Sequence, residues 1–322
     1  MAEKPESAAY HPESIIKPPP IYDWPPRPLA VLKYLTWDML FPWGYLYIAM
    51  AFVSWVWLMP SMETMATLSL DWMALVWLRN AFFLTLVAGG LHWWLYMRKS
   101  QDREMKFDGR WQAVGDDRFL WGDQVKDNMF WSLVSGVTIW TVYECITFWF
   151  YASGRLPFMT ISEHPIYFIF TLYLVFFWGY GHFYLGHRFL HWKPMFNLAH
   201  ELHHRNVNIG PWSGLSMHPV EHVIYLSVFV TWWFVPVHPV VVLVTGYFMG
   251  IGPAPSHSGF DFVKTGRGRI SAGDLFHQLH HKYFHVNYGN TPAPLDKVFD
   301  SWHDGSDAGK AVVKRRMRKI PA

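Results

Sequence analysis

Charge is missing from this chain over long blocks. Met39 to Met62 has no charged residue through 24 positions, and about 20 apolar residues suffice to cross a bilayer as a helix. Trp72 to Met97 is a second block, interrupted only by Arg79, which is expected near a membrane surface. Asn128 to Gly154 is a third, with Glu144 inside it, and His164 to Gly181 is a fourth. Val223 to Val237 and Val240 to Pro255 are shorter apolar stretches split by His238-Pro239. They read as a re-entrant or interfacial hairpin, a full helical hairpin being the other possibility. A large soluble helical core accounts poorly for this pattern, because a core helix is seldom uncharged for so long. The reading is an all-α integral membrane protein with about four transmembrane helices.

The connections between blocks differ in sign. Arg98 to Lys126 holds seven Lys or Arg, Ser61 to Asp71 none, and Ala152 to Glu163 only Arg155. The far C-terminus carries Lys314, Arg315, Arg316, Arg318 and Lys319. By the positive-inside rule both termini and the 98–126 loop face the cytoplasm, together with everything after the fourth block. Residues 1–28 are a Pro-rich tail without the apolar core of a signal peptide. The organisation expected is therefore a tail (1–28), an N-terminal membrane region with its loop (29–127), a catalytic domain (128–304) and a basic tail (305–322).

Composition agrees and adds one anomaly. Of the 322 residues 52% are apolar and only 16% charged, and the net charge of +3 is too small to argue for nucleic acid. A single cysteine, Cys145, excludes a disulfide scaffold and iron–sulfur clusters ligated by this chain alone. The anomaly is histidine: 18 in all, 15 of them between His182 and His303. Four groups stand out, His187/His191, His200/His203/His204, His218/His222 and His277/His280/His281, with His257 between the last two. On a helix positions i, i+3 and i+4 share a face, so each group aims two or three imidazoles at one point. Neutral imidazole is a strong ligand for zinc, iron, copper and nickel. Eleven histidines are too many for one ion and suit two ions in a helical cradle. His182, His238, His285 and His303 are left outside this set, as are His11, His92 and His164.

His200-Glu201-Leu202-His203-His204 also satisfies the zinc-peptidase pattern H-E-x-x-H, in which Glu is the general base. That reading leaves most of the cluster unused, and the fourth group has Gln278 where the glutamate would stand. A non-catalytic membrane metal-binding protein or transporter is a further alternative. Glu201 and Glu221 lie among the ligands and are candidates to orient imidazole N–H groups, with Asn287 in a similar role. Trp178, Trp192 and Trp212 read as membrane-interface residues.

Over roughly residues 130–304 the chain resembles the fatty acid hydroxylase/sterol desaturase superfamily of histidine-box membrane enzymes. The resemblance rests on His187-Arg-Phe-Leu-His191, His200-Glu-Leu-His203-His204, Met217-His-Pro-Val-Glu-His222, His257-Ser-Gly-Phe-Asp261 and His277-Gln-Leu-His280-His281. It continues through Asn287-Tyr-Gly289 and Asp296-Lys-Val-Phe299. It implies a di-iron oxygenase that uses dioxygen and two external electrons to hydroxylate or desaturate a lipid. Two Fe ions would occupy a cytoplasmic, histidine-rich cap, with zinc able to replace iron in purified protein. Some members carry histidine where Asp261 stands, so His218 or His222 would take its place here. With no G-x-G-x-x-G and no cysteine pair, a ferredoxin- or cytochrome-type partner must deliver electrons. The Pro-rich tail, the 98–126 loop and the basic C-terminus are candidate docking surfaces, or simply topology signals.

Overall fold

The structure is a computed structural model that describes residues 10–12 and 15–318. The Pro-rich tail's first nine residues and Lys319 lie outside them. Helices dominate. The first two, α1 (Pro28–Asp38) and α2 (Trp43–Leu58), meet at a 51° bend. The block expected to span over Met39 to Met62 is thus α2, joined at its start to α1 in a bent pair that is a broken span or a re-entrant loop. Pro42 sits in the elbow, and a proline there has no N–H to continue the hydrogen-bond ladder.

Three long helices follow: α3 (Leu70–Met97), α4 (Gln124–Ala152) and α5 (Pro165–Leu190). Their ends follow from local chemistry. Ser69 accepts the Asp71 N–H, Asp123 accepts those of Val125 and Lys126, and Pro165 opens α5. Helix α5 runs nine residues beyond its apolar block and carries His187 in its last turn. Next come α6 (residues 193–204) and α7 (Pro219–Leu226), the latter followed by a 3₁₀ stretch, Ser227–Trp233. The next helix, α8 (Pro239–Ser256), corrects the hairpin reading. It is one continuous helix of 18 residues, long and apolar enough to span. Apolar on every side, it fills the middle of the bundle, as such a helix must. Gly246 and Gly250 let the Trp140 ring of α4 lie against it; a Cβ at either would come within 2.6 Å of that ring. The described residues therefore hold four helices able to cross a membrane, five if α1 and α2 count as one.

Arg79 is a second correction. It is not at a surface but buried between α3 and α4, ion-paired with Glu144. Asn80 Nδ2 donates to the other Glu144 oxygen at 3.1 Å. Charge inside an apolar bundle is tolerated when paired in this way. Trp212, expected at the interface, is buried in the core as well.

After α8 come a two-stranded antiparallel hairpin, β1 (Phe262–Thr265) and β2 (Gly268–Ser271), then α9 (Leu275–Tyr283) and α10 (Asp307–Met317). These gather at one end of the bundle with the loop after α3. Trp43 Nε1 donates to Ser271 O at 2.9 Å, Gln101 Nε2 to Phe262 O at 2.8 Å, and Phe107 N to Gly259 O at 2.9 Å. The described part of the N-terminal segment joins the same end, with Ile16 N donating to Asp304 O at 2.9 Å. His238 lies at the other end, its ring 5.8 Å from Trp55 and 5.5 Å from Phe168.

Candidate metal centre

Helices α5, α6 and α9 and the end of α8 bring nine imidazoles together in two adjoining groups. His187, His191, His200, His204 and His280 form one; His203, His257, His277 and His281 form the other. Within each group one ring nitrogen per residue lies within 4.8 Å of all the others. The expectation that each H-x-x-H-H motif aims at one point is corrected here. His200 and His204 join the first group and His203 the second; His277 and His281 join the second and His280 the first. The cause is helical pitch. Positions i and i+4 differ by only about 40° around the axis, whereas i+3 and i+4 differ by about 100°. Neighbouring histidines must therefore serve neighbouring centres. A π turn at Phe196–His200 sets the phase of α6 just before its motif.

Hydrogen bonds fix the tautomers. Nδ1–H of His187 donates to Tyr288 O and that of His280 to Val286 O, both at 2.6 Å. His257 Nδ1 reaches Pro253 O at 2.9 Å and His203 Nδ1 reaches Ser216 O at 3.3 Å. His200 Nδ1 donates to Glu221 Oε1 at 2.8 Å. With Nδ1 protonated, Nε2 of a neutral ring carries a lone pair. Nε2 atoms converge in both groups: His191, His204 and His280 are mutually 3.0–3.1 Å apart, and His257, His277 and His281 are 3.1–3.2 Å apart, with the Nδ1–H tautomer fixed by a carbonyl in His280 and His257. Each trio thus holds one lone pair that is fixed, and a cation between the three nitrogens would engage all of them with the remaining rings in the same Nδ1–H tautomer. Nitrogens about 2.1 Å from one ion and at right angles stand about 3 Å apart, which is the spacing found. The residues therefore fit a metal pair.

Burial also keeps the rings in the ligating form. It holds His200 down at about 3 and His203 at about 4. His191, His204, His257, His277, His280 and His281 are pushed well below the ordinary value by burial, then by neighbouring imidazoles.

Two candidate ligands stand elsewhere. His218 is a helix cap: it precedes Pro219, and its Nδ1 accepts the Val220 N–H at 3.2 Å. His238-Pro239 repeats the same device at the start of α8. His222 has both nitrogens engaged, accepting from Ser135 Oγ at 2.9 Å and donating to Leu215 O at 3.1 Å. Asp261 is outside both groups too, its side chain hydrogen-bonded to Tyr10. Of the three further candidates, Glu221 is buried and touches His200, whereas Glu201 is exposed on the outer face of α6. Asn287 touches no imidazole. Its side chain donates to Phe276 O and His303 O and accepts the His303 N–H, clamping the segment that supplies the Val286 and Tyr288 carbonyls. Those carbonyls, and the Tyr288 ring 4.8 Å from that of His191, escaped sequence reasoning. His182, His285 and His303 lie outside both groups.

A cavity of about 360 Å³ opens on the second group, touching His203, His257 and His277. Phe176, Phe183 and Phe248 line it, as do Met39 and Phe41 of the α1–α2 elbow.

Comparison with known proteins agrees with this centre. The family described as fatty acid hydroxylase matches residues 170–301, which include every histidine of both groups. A Delta(7)-sterol 5(6)-desaturase of Candida glabrata is 27% identical over 148 residues, 43% of this chain and 40% of that one. Its counterpart in Eremothecium gossypii is 27% identical over 159 residues, 47% and 44% of the two chains. That of Saccharomyces cerevisiae is 29% identical over 126 residues, 39% and 34%. The chain thus spans about two fifths of the length of the curated relatives it matches. No solved structure matches it. With four helices fit to cross a membrane, the chain is a multi-pass membrane protein whose residues 170–301 match the fatty acid hydroxylase family and are similar to sterol desaturases.

Proposed function

We propose that this protein is a membrane-bound, dioxygen-dependent di-iron oxygenase that hydroxylates or desaturates an uncharged lipid. The observation that carries the reading is the pair of adjoining groups in which four and five imidazole nitrogens converge within 4.8 Å of one another. His187, His191, His200, His204 and His280 would hold one ion and His203, His257, His277 and His281 the other. Two bound iron ions would supply dioxygen activation and oxidation of an unactivated C–H bond, the chemistry of a nitrogen-rich site with open positions. Glu221 orients His200, and the carbonyls of Val286, Tyr288, Ser216 and Pro253 orient four more rings. The aromatic walls keep water from the reacting carbon.

The cavity supports the lipid class. Its lining contains no lysine or arginine, and Asp274 faces it beside Tyr180 and Asn290. A fatty carboxylate or a phosphate would meet a carboxylate there and no cation, so a neutral lipid entering past the α1–α2 elbow suits it better. The peptidase alternative fails on geometry, because Glu201 points to solvent rather than toward the centre.

The histidine end also holds the basic 98–126 loop and the basic C-terminal helix, which supports a cytoplasmic site. Electrons then come from an external carrier. The test is mass spectrometry of lipids from cells with and without the protein. A lipid that gains one oxygen or loses two hydrogens, only in air, is the expected result. Peptide cleavage indifferent to oxygen would overturn the reading.

A further inference from the structure

The strongest unused feature joins the basic C-terminus to the first histidine group. Helix α10 and its end carry Lys310, Lys314, Arg315, Arg316 and Arg318. Lys310 pairs with Asp307 and Arg315 with Asp300. Lys314 and Arg318 are exposed, and neither has an ion-pair partner among the described residues. Arg316 turns inward, Nε donating to His285 O at 2.5 Å and Nη1 to Asp300 O at 3.1 Å. Its guanidinium lies 5.7 Å from the Tyr288 ring, and that of Arg188 lies 4.4 Å from the same ring. Tyr288 is 4% exposed. Inward, its ring stands 4.8 Å from that of His191 and 5.4 Å from that of His280. A basic surface, two guanidiniums and one aromatic ring thus form a continuous contact from solvent to the five-histidine group.

We propose that this face docks an acidic one-electron carrier protein, and that Tyr288 is the contact through which electrons reach the five-histidine group. The inference rests on the oxygenase reading and adds where and how reduction occurs. Each docking oxidises one reduced carrier by one electron. Two such transfers, with two protons and one dioxygen, turn one C–H into C–OH and release one water. Charge complementarity picks the partner: the exposed lysine and arginine sit on the helix whose Arg316 reaches the Tyr288 ring, so an acidic protein docked there faces that ring. Tyr288 is a relay and the surface charges a docking device; neither touches substrate.

The experiment uses full-length, metal-loaded protein in nanodiscs of neutral lipid. The probes are a soluble acidic cytochrome haem domain and a [2Fe–2S] ferredoxin, each reduced. The double variant Lys314→Glu/Arg318→Glu is expected to weaken binding of the productive carrier roughly tenfold and to flatten its salt dependence. Arg155→Glu, in a different loop, leaves binding unchanged. Tyr288→Leu is expected to keep carrier binding and metal content but to slow oxidation of the bound carrier, read from the carrier's own absorbance. Tyr288→Phe restores it. Unchanged binding in the double variant overturns the docking face, whether or not Tyr288→Leu folds. Loss of binding to phosphatidylserine vesicles alone, with carrier binding intact, also overturns it and assigns the patch to the membrane surface. If dithionite with a mediator supports no oxygen-dependent lipid oxidation in the wild type, the oxygenase reading itself has failed. If it does, and only the carrier-driven reaction is indifferent to the variants, the docking inference alone has failed.

Discussion

Glu201 and Glu221 flank the same histidines in sequence and stand in opposite environments. Glu221 is buried and accepts the His200 Nδ1–H at 2.8 Å; Glu201 is exposed and touches none of the ligating rings. Glu221→Ala removes the acceptor that fixes His200's tautomer and leaves a buried N–H unpaired. A carboxylate hydrogen-bonded to a ligating imidazole typically contributes about 10–100-fold to metal affinity. At about 1.4 kcal/mol per decade that is roughly 1.4–2.7 kcal/mol, which agrees with about 1.5–3 kcal/mol for a hydrogen bond to a charged group. Glu221→Gln keeps an acceptor at Oε1 and is expected to lose less. Glu201→Gln changes a solvated side chain and is expected to shift affinity by no more than about 0.5 kcal/mol. The assay is competitive chelation of purified protein, with retained metal counted per chain. Glu221→Ala binding within twofold of wild type, or Glu201→Gln losing metal, would refute the assignment of Glu221 as the orienting carboxylate.

Three further outcomes are expected. Arg79→Leu strands Glu144 inside the bundle and should destabilise the protein by about 3–5 kcal/mol, much of it recovered in Arg79→Leu/Glu144→Leu; thermal unfolding in detergent reads this, and an unchanged midpoint for the single variant refutes it. Acid should destabilise the metal-free protein in a defined window. Burial holds His200 at about 3 and His203 at about 4, against 6.5 in the unfolded chain. The unfolded state therefore takes up protons first. The contribution of these two rings is full above pH 6.5 and falls progressively toward pH 3, whereas Glu221, raised to about 8 by burial, works in the opposite sense between pH 8 and 4.5; below pH 4.5 only the fall remains, and a melting midpoint that rises there contradicts this. Reporter fusions at residue 112 and at the C-terminus should report the same side, and a fusion at residue 66 the opposite one.

The bundle was legible because apolar run length is a one-dimensional signal. It fails where a local breaker or a partner intervenes: the chain bends beside Pro42 at the start of the first block, and Arg79 becomes a core residue because Glu144, on another helix, pairs with it. The short length of the stretch over α8 hid its role, since residues 240–255 alone look too short to span. Histidine spacing revealed that imidazoles gather at one site but not which of them do so. His218 and His222 share the same i, i+4 spacing as His187 and His191. One is a cap before proline and the other is held by Ser135 and Leu215. The repeat of His-Pro at 218–219 and 238–239 carried the capping signal. Nothing local marks the carbonyls of Val286 and Tyr288 as acceptors, because every residue has a carbonyl and only the chain path says which faces a ring.

The division of each H-x-x-H-H motif between two centres leads to a prediction that a single-centre arrangement cannot share. His203 and His204 are adjacent in sequence, as are His280 and His281, yet each pair is divided. His203→Ala and His281→Ala should both deplete the four-histidine centre and spare the five-histidine one. His204→Ala and His280→Ala should do the reverse. Losing one of four ligands weakens a site more than losing one of five, so the first two variants should bind close to one ion per chain. The second two should retain more, with the weaker ion released first on chelation. Metal-to-protein ratio and the spectrum of the retained ion, with cobalt as the probe metal, distinguish the outcomes. Variants of the same centre, although from different helices, should leave the same residual spectrum. Sequence neighbours should leave different ones. If His203→Ala and His204→Ala leave identical spectra while His203→Ala and His281→Ala differ, the centres are organised by motif rather than across motifs, and the split argued from helical pitch is wrong.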